Sequence, residues 1–465
     1  MRRDLVLALL FVGLLATRLC HIDLVWVEEG YPTAAAIQLL DGKALYRDVW
    51  FDKPPGSPYL YLLWGAHIGW PLRVAGAVYI WFCCLMAWRF ARDVWGEREG
   101  MAAALFLGFF LTFGIPSAVM ALAPDLLMVL PHLAAIYFAW RQRPLLSGFI
   151  AGLSVLINPK GVYIFAAGFI WLHLRQVAKY AIAFLLPNIA AFAWFSRPYL
   201  RQVWEWGIMY ASHTFVEQPI REAVIRTADW IGFQSALVVA AGWLLWTRRN
   251  SESFRAAGWA VVMLCAVTSG WRFFPRYYFA LLVPVVIMAA RGYTMMGSRR
   301  IIVVVLLAIP LVRFGPRYFE LASDLVYRRP HHWRDLAIMD DSKAAADMLL
   351  ADSHGAGTLL VWGYRPDIYA YTRMEAGTRF LDSQPLTGVI ADRHLVSSEA
   401  LTPEWAMRNR AHLLETQPGY IVDGLGLYNP SLAIRSYPDL TAWLRNYREI
   451  GRTDHSIIYK LLPRP

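Results

Sequence analysis

A small set of residues in this chain combines types and positions suited to acid–base chemistry on an anionic substrate. They are Glu28 and Glu29 in VWVEEGYPTAAAIQLL, Lys53 in FDKPPG, Asp125 in PDLLMVLP, Lys160 in the NPKG turn, and Arg276 and Tyr277 in RFFPRYY. Adjacent carboxylates beside the end of an apolar run repel each other in a partly dry setting, which raises the proton affinity of at least one and makes it a candidate general base. A hydrated pair of loop acids is the alternative, and spacing alone does not separate the two readings. Asp125 directly precedes an apolar run, where an ionisable group is either functional or a helix N-terminal acid favoured by the dipole. Lys53 is followed by two prolines that stiffen the chain. It suits a phosphate as a point charge, or it is a surface lysine that snorkels. Lys160, Arg272 and Arg276 either pair with these acids or meet an anionic headgroup or diphosphate.

The elements that must position these groups follow from composition. Of 465 residues, 57% are hydrophobic and 17% charged, whereas an ordinary soluble chain carries about 25% charged residues. Apolar stretches predict eleven spans, over Leu5–Cys20, Val74–Trp88, Met101–Met120, Leu126–Trp140, Leu145–Ile157, Val162–Leu174, Ala178–Phe195, Ile231–Trp246, Ala256–Gly270, Tyr277–Ala290 and Ile301–Val312. The net charge of +11 resides in clumps between these stretches: Arg2/Arg3, Arg89/Arg92/Arg98, Arg141/Arg143, Arg175/Lys179, Arg248/Arg249/Arg255 and Arg291/Arg299/Arg300. With spans inserted in order, every clump falls on one side, which the positive-inside rule makes cytoplasmic. The charge therefore reports topology and not a nucleic-acid partner. The first stretch has a basic head but no small-residue cleavage site, so it reads as an uncleaved span rather than a signal peptide. Cys20, Cys83, Cys84 and Cys265 form no spaced framework, so neither a disulfide scaffold nor a zinc motif is expected.

The opposite face then receives the loop His21–Arg73, the turns at Asp125 and Lys160, the loop Ser196–Trp230, Trp271–Arg276, and everything after about Gly315. Within the first of these, Tyr31–Leu40 and Ser57–Trp70 read as helices lying along the membrane surface. Residues 1–315 thus form a membrane domain, with the acidic motif in its outer loop 21–73. Residues 316–465 form an extracytoplasmic soluble α/β domain, with helices over Asp341–Asp352 and Leu440–Tyr447 and strands over Thr358–Trp362, Tyr420–Val422 and Ser456–Leu461. No Walker loop, dinucleotide GxGxxG, HExxH or GxSxG motif occurs.

Glu28-Glu29 shortly after the first span, Asp52-Lys53-Pro54-Pro55 further on, and a lone Asp125 in the second outer turn resemble the type C membrane glycosyltransferases of the lipid A aminoarabinose transferase and protein O-mannosyltransferase kind. That resemblance implies inverting transfer of a sugar from a polyprenyl-phosphate donor to an envelope glycan, lipid or protein acceptor, at the periplasmic face of a bacterial inner membrane. It implies a catalytic role for Glu28, Glu29 and Asp125, and donor-phosphate contact by Lys53, Lys160, Arg276 and Tyr277, with Gly161 completing the Lys-Gly turn. The family usually opens its acidic motif with Asp, whereas this chain has Glu28, a carboxylate one methylene further out. No dense ligand motif requires a metal, although a divalent cation is compatible, and no other cofactor is called for. Two rivals are a transporter or flippase of lipid-linked sugars, which would favour inverted repeats and broken midplane helices, and a non-catalytic receptor, which would leave the Glu-Glu and Lys-Pro-Pro motifs without a role.

Overall fold

The computed structural model describes residues 2–212, 218–329, 331, 333, 336–394 and 397–463. Among them, four helical segments are long and apolar enough to cross a membrane: Trp70–Trp95, Leu174–Ser212, Pro275–Met295 and Gly297–Tyr327. A fifth results if Pro219–Phe233 and Ser235–Thr247, bent by 88°, form one broken span. Pro124–Trp140 and Pro144–Val155 are shorter apolar helices, and the stretch expected over Val162–Leu174 is helical only over Gly161–Gly168. Of the expected loop Ser196–Trp230, residues 213–217 lie outside the described residues, and most of the remainder is helical, including a π segment at Leu200–Glu205.

Four of the six arginine clumps meet at one end of this bundle. Arg3 and Arg92 both lie over Trp88, Arg141 pairs with Asp93 at 3.4 Å, and Arg291 pairs with Glu99 at 2.5 Å. Large apolar side chains stay exposed along the sides, among them Ile182, Leu186, Ile189, Phe192 and Trp194. A lipid-facing surface has this composition, because hydrocarbon imposes no cost on apolar side chains that water would penalise.

After Tyr327 the chain builds a five-stranded sheet of order β2-β1-β3-β5-β4, with β1 Thr358–Trp362, β2 Glu375–Ala376, β3 Tyr420–Asp423, β4 Tyr447–Arg452 and β5 Ile457–Leu461. β1 runs parallel to β2 and β3, while β5 runs antiparallel to β3 and β4. Successive strand side chains point to opposite faces. Leu359, Val361, Val422 and Ile458 therefore enter one core, and Leu360, Trp362, Ile421 and Ile457 enter the other. Burial on both faces explains why β1 and β3 read as continuous apolar runs. The helix Ala337–Ser353 covers one face. Leu440–Tyr447, expected as one helix, forms only the short helix Thr441–Leu444 before entering β4.

The helix Val27–Leu40 is enclosed by the rest of the protein. Ten of its fourteen residues are buried, and Tyr31, Ala34 and Ala35 share the first sheet core with Leu45, Val49 and Phe51. Its start is pinned by Glu29, whose carboxylate is fully buried and accepts two hydrogen bonds from Arg73 Nη1, at 2.8 and 3.0 Å, and one from Leu122 N at 2.6 Å. The remaining Arg73 donors reach His21 O and Leu24 O. Gly30 follows, where a Cβ would meet Asp367 Cα at 2.8 Å, so the absence of a side chain is what lets this helix approach the C-terminal domain so closely.

Arg73→Met is expected to destabilise the protein by about 3–5 kcal/mol, because it strands the Glu29 carboxylate in the interior; denaturant unfolding in detergent measures this. Gly30→Ala should lower the thermal unfolding midpoint through a misfit of about 1–3 kcal/mol. Gly13→Ala, at a glycine with nothing within 4 Å, should not lower it.

Candidate active site

At the bundle end opposite the arginine clumps, a cavity of about 450 Å³ opens between the helices and the C-terminal domain. Four cationic side chains line it, Lys53, Lys160, Arg272 and Arg276, with three acids, Glu28, Asp52 and Asp125. Six of the seven sequence-predicted site residues, Glu28, Lys53, Asp125, Lys160, Arg276 and Tyr277, therefore come together, although they span some 250 positions of the chain. Glu29, the seventh, does not join them, because its carboxylate points into the Arg73 pocket. Neighbouring residues on a helix point about 100° apart, so the burial of Glu29 turns Glu28 towards the cavity.

Glu28 sits in the first turn of the helix Val27–Leu40, where the dipole favours a negative charge. Its Oε1 lies 2.5 Å from Arg276 Nη1, and Arg276 Nε lies 3.6 Å from Asp125 Oδ2. One guanidinium therefore bridges two acids delivered by separate segments. Asp125 Oδ1 also accepts from Asn158 Nδ2 at 3.2 Å. The Asn158 Oδ1 atom in turn accepts from Lys160 N at 3.0 Å, closing an Asx-type turn that sets the lysine's direction. Gly161 completes this turn, because a Cβ there would meet Ser154 Oγ and Val155 N at 2.5 Å. The Lys160 ammonium faces the Tyr277 ring and has no hydrogen-bond partner among the described residues. Burial pushes it down to about 8, with the nearby Asp125 opposing that shift.

Lys53 projects from the other wall. Its Nζ is 2.9 Å from Asp52 Oδ2 and 5.4 Å from the centre of the Tyr210 ring. Tyr46 Oη donates to the Lys53 carbonyl at 2.8 Å, and Gly56 N donates to Leu156 O at 2.6 Å. The Lys-Pro-Pro-Gly segment is thus held at both ends. Beside it, an apolar groove of about 830 Å³ starts at Pro55, Gly56 and Tyr59 and runs past Phe149, Leu186 and Trp194. Among the described residues, no group of three or more His, Cys, Asp or Glu side chains is arranged to hold a metal ion.

Sequence reasoning passed over several lining residues. Trp204 and Tyr210 lie in what reads as a loop, and Tyr364 and Gln384 come from the C-terminal domain. A signal for Tyr364 was present: it stands two residues beyond the end of the parallel strand β1, the position at which open α/β sheets present groups to ligands.

No protein-family model matches the chain, and no curated protein sequence matches it. Solved structures do. ArnT from Cupriavidus metallidurans bound to undecaprenyl phosphate superposes with a TM-score of 0.63 at 13% identity, covering 98% of this chain and 97% of that one. The apo form of the same protein gives 0.60 at 14% identity, covering 97% of each chain. The Archaeoglobus fulgidus oligosaccharyltransferase tethered with an acceptor peptide containing the NVT sequon gives 0.51 at 12% identity, covering 96% of this chain and 72% of that one. Such identities speak to architecture, and with them the chain has the fold of the type C membrane glycosyltransferases.

Proposed function

We propose that the protein is an inverting glycosyltransferase that moves a sugar from a polyprenyl-phosphate donor to a hydroxyl of an envelope glycan, lipid or protein. The observation that carries this reading is a cation-rich cavity with an apolar groove beside it. The two are lined by consecutive residues, Pro54 in the cavity and Pro55 in the groove. A lipid phosphate has the matching halves, a charged head and a long hydrocarbon tail. The likeness in fold to an ArnT solved with undecaprenyl phosphate supports the same class of donor.

In the mechanism, the acceptor oxygen attacks the anomeric carbon, the bond from that carbon to the phosphate oxygen breaks, and its electron pair leaves with the polyprenyl phosphate. Glu28 takes the acceptor proton as general base. Lys53, Lys160 and Arg276 stabilise the departing phosphate, Tyr277 backs Lys160, and Asp125 orients Arg276. The entering phosphate competes with Glu28 for Arg276, which frees the carboxylate to act as a base once the donor is seated. Glu29 holds the helix that carries Glu28. No step needs a metal, and a divalent cation in the cavity is compatible with the scheme. The chain crosses a bacterial inner membrane eleven times, several crossings being made by short or broken helices. The cavity and the α/β domain of residues 316–465 face the periplasm.

Glu28→Gln should lower single-turnover transfer from a panel of polyprenyl-phosphate sugars by about 10²- to 10⁴-fold without weakening donor binding, since it removes the phosphate's competitor for Arg276. Lys53→Ala should instead weaken donor binding. Near-native transfer by the Glu28 variant would overturn its assignment as the base. For orientation, a cysteine placed at Glu375 in a cysteine-free background should react with an impermeant thiol reagent added from outside, and one at Ser251 should not. The reverse pattern would place the cavity in the cytoplasm.

A further inference from the structure

A second cavity, of about 300 Å³, shares Tyr364 and Ala391 with the cationic one. It is built where two neighbouring parallel strands end: Arg365 and Asp367 follow β1, and Gly424 and Leu425 follow β3. Open α/β sheets present groups to ligands at this edge. Trp26 and Val27 add a wall from the start of the helix Val27–Leu40. Consecutive residues of that helix therefore line different cavities, Val27 the second one and Glu28 the cationic one.

Most of the lining is apolar, with Trp26, Ile338, Met339, Leu425 and the ring of Tyr428. Its arginine is engaged inside the domain: Arg365 Nη1 lies 2.6 Å from Asp341 Oδ2, Nε donates to Ser342 Oγ at 3.0 Å, and Nη2 donates to Ile338 O at 2.8 Å. Asp367 stands differently. It is 2% exposed, and its Oδ2 has no hydrogen-bond partner among the described residues. Burial pushes its carboxyl up to about 6, with the Arg365 charge opposing, so the carboxylate form prevails at neutral pH. A desolvated carboxylate oxygen without a donor is unfavourable, and a ligand that brings an O–H relieves it. The place of Asp367 is tied to the helix that carries Glu28, since a Cβ at Gly30 would meet Asp367 Cα at 2.8 Å.

We propose that this second cavity seats a sugar ring of the acceptor, which donates a hydroxyl hydrogen to Asp367 Oδ2 while the attacking hydroxyl meets Glu28. Three properties select such a ligand. The volume is at the small end of the range for ligand sites, about 300–1,000 Å³, which suits a single ring. Aromatic and aliphatic walls match the C–H faces of a pyranose. The unpaired polar atom is a negatively charged acceptor, so it takes a hydroxyl and repels a phosphate or a uronic acid. Holding a part of the acceptor that does not react is how binding aligns the atom that does. Calling the sugar an acceptor rests on the function proposed above, but the seat for a sugar ring does not.

The full-length protein in detergent, at neutral pH, is titrated with a panel of neutral and uronic methyl glycosides, and binding is read by saturation-transfer NMR. At least one neutral glycoside should bind with a Kd of millimolar order. Asp367→Ala should weaken it about tenfold or more, as expected for a lost hydrogen bond to a charged group. Tyr428→Ala, at a rim residue 41% exposed, should weaken it too and decides the matter if the Asp367 variant does not fold. Wild type that binds no glycoside, binding that neither variant weakens, or a uronic glycoside that binds as well as its neutral parent overturns the proposal. Displacement of the glycoside by polyprenyl-phosphate sugars, but not by polyprenyl phosphate alone, gives the seat to the donor's sugar and overturns its assignment to the acceptor. Glycoside binding through Asp367 in a protein that binds no polyprenyl phosphate upholds the sugar seat and overturns the donor proposed above.

Discussion

The buried pair of Glu29 and Arg73 holds together the parts from which the site is made. Arg73 belongs to the spanning helix Trp70–Trp95, and Glu29 to the helix Val27–Leu40. Their contacts also recruit the backbone at His21, Leu24 and Leu122. Two desolvated charges contribute little net stability compared with a well-packed apolar pair, but losing one partner is severe. Such a pair therefore fixes register. With Glu29 locked inward, the neighbouring Glu28 can turn only towards the cavity.

The cavity has its own electrostatic logic. Arg276 lies between Glu28 and Asp125, Lys53 leans on Asp52, and Lys160 keeps its charge against a ring rather than a carboxylate. Cations outnumber acids by one, so an anion entering here completes the balance, and it must draw Arg276 and Lys53 away from carboxylates to do so.

The C-terminal sheet is more than an appendage to the bundle. One of its two cores includes Tyr31, Leu45, Val49 and Phe51 from the loop His21–Arg73, together with Tyr199 and Val203 from the helical segment Leu174–Ser212. The motif loop and the sheet are thus folded into one body, and Tyr364 and Gln384 complete a cavity wall that the helices leave open.

Much of this was legible in the residues alone. Arginine clumps and outer-face charges separate because lipid and water sort side chains locally, and β1, β3 and β5 announce themselves within a residue or so because two-sided burial writes an apolar run into each. The motif residues Glu28, Lys53, Asp125, Lys160 and Arg276 stood out because cations and acids next to apolar runs need a reason to be there. β4 did not stand out, since this edge strand exposes Arg448, Glu449 and Arg452 and carries no buried run. Neither the choice between Glu28 and Glu29 nor the role of the C-terminal domain could be read from spacing. Each depends on a partner dozens to hundreds of positions away: Arg73 for Glu29, Asp367 against Gly30, and Phe380 beside Trp50. Local sequence determines which solvent a residue prefers, but only packing decides which of two chemically equal carboxylates loses its water to a buried guanidinium and which one keeps its place in the cavity.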